Sequence, residues 1–598
     1  MKVRGFLTIV GIILLGGVAA LIFLAGQRDD SIRLAMSQEP DNLNPALTSM
    51  AAAIDVMRLL YSPLFDLEDK EGGWTEVPVA CVRIPTFENG LVTKIEGADN
   101  YPPPTKKDGE KDEDFATRLK EFNDRIKLID PDGDGKHTEI IVKWELRPEA
   151  KWSDGVPVTA DDYIYAFEFI MSENPAFPVQ SRDAESRIKS MTSENDGMTL
   201  VVHWKESYAN CVSNGHTVLP KHVVEPLVKQ FREGFTNHEY NRKPLSNGPW
   251  VLSAWQAGQR MVFVPNPHWW GDKPKSPRLV VNLIAESATI AEHLRSHAVD
   301  ATAQVGVNFD DATNFEREGS QGFNVYFTQG LVWEHIDCNL QDPILKDVRV
   351  RQALLFGMDR ESISQSLFEG KQPVAHSWVP PLHPCFNPDA PRYNYDAERA
   401  GKLLDDAGWK LADGDSVRRN AAGDRLTITL STTSGNRVRE KVSEIIQQQW
   451  KKIGIDLKID QVIPDTFFGA AGPLTRGTYQ LGMYAWLFNS TSDGTLWTSG
   501  QIPTEANGWQ GQNYPRMQNA DIDRIDNLIP ITLDPEARRK LFLEEQVLWS
   551  QNLPSLPLYY RTDTSITRDD FLGWRPTRGG AYVCWKSTDW AIAKPAAK

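Results

Sequence analysis

The sequence predicts an α/β protein built in two or more lobes, and three observations carry that prediction. The chain has 598 residues, whereas a single hydrophobic core rarely grows beyond about 250–300. Short β-branched segments alternate with segments of helical spacing along most of its length, as expected of sheets covered by helices. Pro and Gly punctuate the joins. With 41% hydrophobic and 24% charged residues, the chain has enough apolar surface to bury its cores, which excludes wholesale disorder. A net charge of -15 argues against a nucleic-acid surface, which must neutralise phosphates. The 19 Trp stand out, because indole serves flat ligand walls as well as cores.

The N-terminus sets the compartment. Lys2 and Arg4 precede an almost unbroken apolar run over residues 6–26, and Arg28, Asp29 and Asp30 follow it. About 20 apolar residues at helical rise span a hydrocarbon core, and basic residues before the run keep the N-terminus inside. The run ends in Leu24-Ala25-Gly26-Gln27. This is a lipoprotein-like processing box with Gln27 where the lipidated Cys would stand, so no thioether anchor forms. Residues 1–28 are therefore expected to be an uncleaved signal anchor, a transmembrane helix holding the rest outside the cytoplasm. A cleaved signal peptide is the alternative. The five cysteines, Cys81, Cys211, Cys338, Cys385 and Cys584, are widely spaced. Most read as free buried thiols, although an oxidising compartment permits a bridge.

Further along, residues 31–37 read as a strand, 39–42 as a turn and 51–60 as a helix. Residues 101–115 are a charged, Pro-rich solvated loop leading into a charged helix near 115–127. Residues 130–135, Asp-Pro-Asp-Gly-Asp-Gly, match the first half of a calcium loop. The twelfth position is Ile141 instead of a bidentate Glu, and a strand follows, so an acidic hairpin turn is expected. Strands are expected at 139–145, 198–204, 259–265, 280–285, 301–305, 426–432 and 456–461. Helices are expected from the Thr159 cap through Phe169 and at 287–297, 348–356, 361–368, 397–407 and 436–453.

No catalytic constellation emerges. There is no Gly-x-Ser-x-Gly elbow, phosphate loop or His-Glu-x-x-His, and the eleven His are scattered. His335 reads as structural. Catalytic residues, metal ligands and cofactors are accordingly expected to be none.

Six blocks in order resemble the family 5 extracytoplasmic solute-binding proteins, the oligopeptide- and dipeptide-binding receptors of ABC importers. They are Glu39-Pro40-Asp41-Asn42-Leu43-Asn44-Pro45; Lys151-Trp152-Ser153-Asp154-Gly155 continuing to Thr159-Ala160-Asp161-Asp162; Ser246-Asn247-Gly248-Pro249-Trp250; Asn266-Pro267-His268-Trp269-Trp270; Asp347-Val348-Arg349-Val350-Arg351-Gln352-Ala353-Leu354 with Met358-Asp359-Arg360-Glu361; and Asn552-Leu553-Pro554-Ser555-Leu556-Pro557-Leu558-Tyr559. The resemblance spans about residues 31–575. It implies a two-lobed periplasmic-binding-protein-like fold with a hinge and a ligand cleft between the lobes. Lobe 1 is placed at 31–320 with an acidic insertion at about 82–138, lobe 2 at 321–554, and the return to lobe 1 with the tail at 555–598.

The resemblance also implies a function. It is an extracytoplasmic receptor, held in the inner (cytoplasmic) membrane, that captures peptides by closure and delivers them to ABC permease subunits. Its partners are a peptide or peptide-sized solute, the permease and the membrane through the N-terminal helix, with no nucleic acid, and it is expected as a monomer. The alternatives are a receptor for a non-peptide solute such as an oligosaccharide, and a membrane-anchored hydrolase. Ligand contacts are expected from Trp486, Asn489, Ser490, Asp493, Trp509 and Trp333. In the family's peptide binders an Asp three residues after the Trp pairs with the peptide ammonium, and here that position is Asn489. An amide accepts a hydrogen bond but brings no charge. Asp493 either takes over that role or caps a helix beginning near Gly494.

Overall fold

Ten strands form one continuous sheet, and two of them tie its halves together. In chain order they are β1 (Ile32–Met36), β2 (Trp250–Gln256), β3 (Arg260–Pro265), β4 (Leu279–Leu283), β5 (Ala301–Thr302), β6 (Phe323–Cys338), β7 (Thr427–Thr433), β8 (Asp456–Val462), β9 (Leu481–Leu487) and β10 (Ser555–Arg568). The spatial order is β8-β7-β9-β6-β10-β5-β1-β4-β3-β2. The computed structural model describes residues 30–594 apart from 49, 71–72, 173–178, 180–181, 489–494, 506 and 580–582. The expected anchor over residues 1–28 lies outside the described residues, among which no helix is long and apolar enough to cross a membrane.

The antiparallel pair β6–β10 explains why the fold has two lobes. Phe323 to Gln329 pair with Arg568 to Thr562, and Trp333 to Asp337 pair with Tyr560 to Ser555. The register shifts between Gln329 and Trp333, and a bulge of this kind bends a strand and strengthens its twist. Before the shift, Phe323, Val325 and Phe327 pack with Ile566 on the first lobe's core. After it, Ile336 and Cys338 pack with Leu556 and Leu558 in a second core, and Trp333 and Tyr560 join a third. A strand serving two cores has no single polar–apolar alternation, so β6 was not among the expected elements. β10 also runs past the expected return strand, and β5 is shorter than the expected 301–305.

The motif blocks act as structural ties. Thr159 and Asp162 form a capping box on the helix Ala160–Met171, and the Trp152 indole N–H donates to Asp162 at 3.1 Å. The Ser153 N–H reaches the Ser246 carbonyl at 2.7 Å, and the Ser246 hydroxyl oxygen lies 2.5 Å from both the Leu60 and Trp250 carbonyls, with one proton to donate to either. A Cβ at Gly248 would lie 2.8 Å from the Leu60 carbonyl carbon, so only glycine fits there. In lobe 2, the Arg351 guanidinium donates to the Leu553 and Leu345 carbonyls at 2.9 and 2.6 Å. Arg360 donates to the Pro557 and Tyr393 carbonyls at 2.7 and 2.6 Å. Two helix arginines thus hold the segment that starts β10.

The expected insertion at about 82–138 holds the strand Val92–Asp99 and the helix Asp112–Ile129 and runs into the strand Lys136–Glu145, expected at 139–145. Both strands belong to a separate four-stranded antiparallel sheet. Residues 130–135 form the acidic turn. The Asp130 carboxylate accepts the Asp134 and Gly135 N–H groups at 3.1 and 2.9 Å and the Asn100 amide at 2.7 Å. Cys81, Cys211 and Cys338 are buried free thiols, and Cys385 is free and half-buried.

Between the helices Ala520–Leu528 and Pro535–Asn552, Asp526 and Glu545 are completely buried, and none of their carboxyl oxygens has a hydrogen-bond partner among the described residues. Buried carboxyls without donors are favoured in their protonated, uncharged form. Burial raises both groups well above the ordinary carboxyl range, and their mutual repulsion adds to the rise at Glu545. The folded chain therefore holds protons that the unfolded chain releases above about pH 4, so this pair's contribution to stability falls as pH rises through the raised folded values. The double variant Asp526→Asn/Glu545→Gln is expected to have a melting temperature that gains on the wild type between pH 5 and 8. A constant difference across that range would contradict the assignment.

Candidate functional site

A cavity of about 1140 Å³ opens between the lobes, larger than the roughly 300–1,000 Å³ typical of sites for drug-sized ligands. Lobe 1 lines it with Ile54, Arg58, Phe65, Asp66, Trp74 and His216; the crossing strands contribute Leu331, Val332 and Asp563; lobe 2 adds His383, Pro384 and Leu487. The lobes also touch directly. The Ala209 N–H donates to the Pro530 carbonyl at 2.7 Å, and the Trp74 and His383 rings meet edge-on with centroids 6.4 Å apart.

Local structure explains how these side chains arrive. The helix Ala51–Leu60 buries Ala52, Ala53, Val56, Leu59 and Leu60, leaving Ile54 and Arg58 for the cavity. The hairpin Phe65–Lys70/Gly73–Pro78 presents Phe65 and Trp74. Leu487 ends β9, opposite Val332, and its 61% exposure marks an apolar side chain facing open space.

The electrostatics of the walls are uneven. Arg58 pairs with buried Asp66 at 3.4 Å. Burial pushes the His216 imidazole down to about 4, so it is neutral at physiological pH. Just past the register shift, Glu334 is fully buried between two arginines. Arg439 donates to one carboxylate oxygen at 2.5 Å, and Arg561 donates to the other at 2.6 and 2.9 Å. Burial pushes the Glu334 carboxyl up, but Arg561 and Arg439 together outweigh it and hold the group below its ordinary value. At the lobe-1 end of β10, Arg568 and Arg33 share buried Asp300 at 3.2 and 3.0 Å.

Six ligand residues were expected from sequence, and they fall in four groups. Trp486 on β9 is half-buried, stacked with Tyr514 (6.3 Å, 13° between planes) and edge-on to Tyr484. The cavity is lined by its neighbour Leu487. Trp509 lies in a loop at φ 63° with the Arg476 guanidinium 3.9 Å from its ring centre, and it is not among the residues lining this cavity. Trp333 requires a correction. It is 1% exposed, stacked on His335 at 4.0 Å and packed edge-on against Trp549. Its ring supports the core and has no free face for a ligand. Asn489, Ser490 and Asp493 lie outside the described residues. Sequence reasoning did not single out Arg58, Trp74, Leu487 or Asp563, which carry no motif and meet only through the fold.

Residues 139–507 match the family model described as "Bacterial extracellular solute-binding proteins, family 5 Middle". The chain belongs to this family. Among the relatives of this solute-binding protein, oligopeptide-binding protein AppA of Bacillus subtilis (strain 168) is 24% identical over 442 residues, covering 72% of this chain and 77% of the relative. The crystal structure of an oligopeptide-binding protein from Thermus thermophilus complexed with a pentapeptide shares 25% identity at a TM-score of 0.69, covering 95% of this chain and 97% of that one. NikZ from Campylobacter jejuni in complex with Ni(L-His) superposes equally well, at a TM-score of 0.69 and 20% identity over 94% of this chain and all of that one. The two-lobed fold is therefore shared by proteins with different solutes, and the solute is decided by side chains in the site.

Removing one partner from a buried charge cluster leaves an uncompensated ion. The Arg439→Ala variant of the solute-binding protein is expected to lose on the order of 3 kcal/mol of stability, measured by denaturant unfolding. A loss below about 0.5 kcal/mol, the range of ordinary surface substitutions, would show that Arg561 alone satisfies Glu334.

Proposed function

We propose that this chain is the extracytoplasmic substrate-binding receptor of an ABC importer, and that it captures peptides between its lobes and delivers them to permease subunits. The observation that carries this reading is the large cavity walled by both lobes and by the strands that join them, in a family member related to oligopeptide-binding proteins. Lobe 1 is assigned residues 31–320, lobe 2 residues 321–554, and the return segment 555–598. Closure is a hinge motion about β6 and β10, and ligand favours it by binding the closed state more tightly. An extended peptide is held chiefly through backbone hydrogen bonds, so wide side-chain tolerance follows. Capture of this kind requires no covalent chemistry, and peptides incubated with the protein are expected to be recovered intact.

Trp486, the neighbour of the lining residue Leu487, supplies an aromatic contact on the ligand, and Asn489, Ser490 and Asp493 supply polar ones. The receptor acts as a monomer and is held at the membrane by residues 1–28.

The reading is tested by mass spectrometry of what the purified full-length chain releases on denaturation. Peptides of mixed sequence are expected, and a single sugar or other uniform small molecule would overturn the assignment. By calorimetry, Trp486→Ala is expected to weaken peptide binding at least tenfold, about 1.4 kcal/mol, and unchanged affinity would remove Trp486 from the site.

A further inference from the structure

The two lobes also meet on the reverse face of the large sheet. On β10, Asp563 lines the cavity, while the hydroxyl of its neighbour Thr564 donates to the Val307 carbonyl at 2.7 Å. Successive side chains of a strand point to opposite faces, so the lobe-1 helix that follows Val307, Phe309–Arg317, lies behind the cavity. The lobe-2 helix Arg360–Phe368 ends on the same side. Its Phe368 ring packs on Tyr559 of β10 with centroids 4.7 Å apart and meets Phe309 edge-on at 5.6 Å. Phe309 is also edge-on to Phe327 of β6 at 5.5 Å, and it packs on the core of lobe 2 although it belongs to the lobe-1 segment. Phe327 lies just before the register shift, and Tyr559 pairs with Glu334 just after it. The contact therefore straddles the point about which the lobes bend.

Ion pairs surround the rings. Arg317 donates to Glu369 at 2.5 Å, and Lys371 donates to Glu316 at 2.5 Å and to Glu369 at 3.1 Å. The Lys371 ammonium sits 4.3 Å from the centre of the Phe327 ring, and the Lys371 carbonyl accepts the Thr562 hydroxyl of β10 at 2.6 Å. Glu369 holds φ 53° at the end of its helix, a left-handed position where glycine is the common choice. A carboxylate there faces Arg317 of the other lobe. The ion pairs are largely exposed, so each contributes little alone and is screened by salt. The aromatic rings carry most of the contact.

We propose that this reverse-face contact, centred on Phe309 and Phe368, holds the lobes closed and so sets the receptor's affinity without touching its ligand. This rests on the hinge-closure reading above. On the cavity side the lobes already touch, Ala209 with Pro530 and Trp74 with His383. A rotation about β6–β10 that parts those surfaces drives the reverse surfaces together. The Phe309 and Phe368 rings are already at contact distance, so opening has to push them past one another and break the ion pairs around them. Removing the Phe309 ring relieves that cost and raises the population of open molecules. The apparent affinity then falls with the closed fraction.

The test uses the purified full-length chain, with a pool of random-sequence pentapeptides as probe. By calorimetry, Phe309→Ala is expected to weaken binding at least about fivefold, the lower end of coupling between separate sites. The interlobe distance is measured without peptide by electron spin resonance, between labels at Ser207→Cys and Glu536→Cys in a Cys385→Ser/Cys584→Ser background. These positions lie near Ala209 and Pro530 in sequence. The distance is expected to be longer in Phe309→Ala than in the otherwise wild-type chain. Saturating peptide is expected to bring both to one shorter distance, which shows that the variant is folded. Phe309→Leu, which keeps a smaller apolar side chain in the joint, is expected to fall between the two in both measurements. Unchanged affinity or an unchanged peptide-free distance in Phe309→Ala would overturn the inference and leave the peptide-receptor reading standing. Failure of the wild type to bind the pool would overturn that reading, and the peptide-free distances would still decide this one.

Discussion

The strand pair β6–β10 is the constraint on which the rest of the molecule depends. Two antiparallel strands run through both lobes, so the large sheet is continuous although the buried clusters on either side are separate. The backbone hydrogen bonds of the pair resist separation of the lobes, while the register shift at Gln329–Trp333 interrupts the ladder where bending costs least. A residue larger than glycine at position 330 would crowd the Arg561 carbonyl, 3.1 Å from its Cβ. Each side of the shift is pinned by buried charge: Glu334 between Arg439 and Arg561, and Asp300 between Arg33 and Arg568. Buried ion clusters of this kind contribute little net stability but penalise every misaligned register, which suits strands whose register sets the geometry of a cleft.

The short sequence blocks gain a physical meaning from the same geometry. Trp152, Thr159 and Asp162 make one unit, in which an indole donor and a helix cap share a carboxylate. Ser153 and Ser246 then tie that unit to the segment leading into β2. Arg351 and Arg360, on consecutive helices, spend their guanidinium groups on backbone carbonyls of the chain returning toward lobe 1. These residues keep the crossing strands in place, and none of them lines the cavity.

The tryptophans divide along similar lines. Trp144, Trp152, Trp204, Trp250, Trp333, Trp378, Trp450, Trp497, Trp549 and Trp590 are among the largest fully buried side chains, and Trp74 reaches the cavity. The surplus of indole is therefore mostly a matter of core packing, as dense apolar volume demands. The acidic balance of the whole chain is echoed in the cavity, where three carboxylates line the wall with one guanidinium.

By itself the sequence determined the α/β class, most helices from their caps and periodicity, the acidic turn at 130–135, and family membership through six ordered blocks. These are local properties, set by hydrogen bonds within a few residues or by side-chain spacing along one element, and they survive being read in one dimension. Only the tertiary structure decided the rest. It placed Trp333 in a core, because β6 turns its faces toward two different lobes. It brought Asp563, Gln304, Arg58 and Leu487 to one cavity from positions up to 505 residues apart, and it committed the Arg561 guanidinium to Glu334. Whether a carboxylate is available to a ligand depends on which neighbours have satisfied it, and those neighbours are chosen by packing between distant segments.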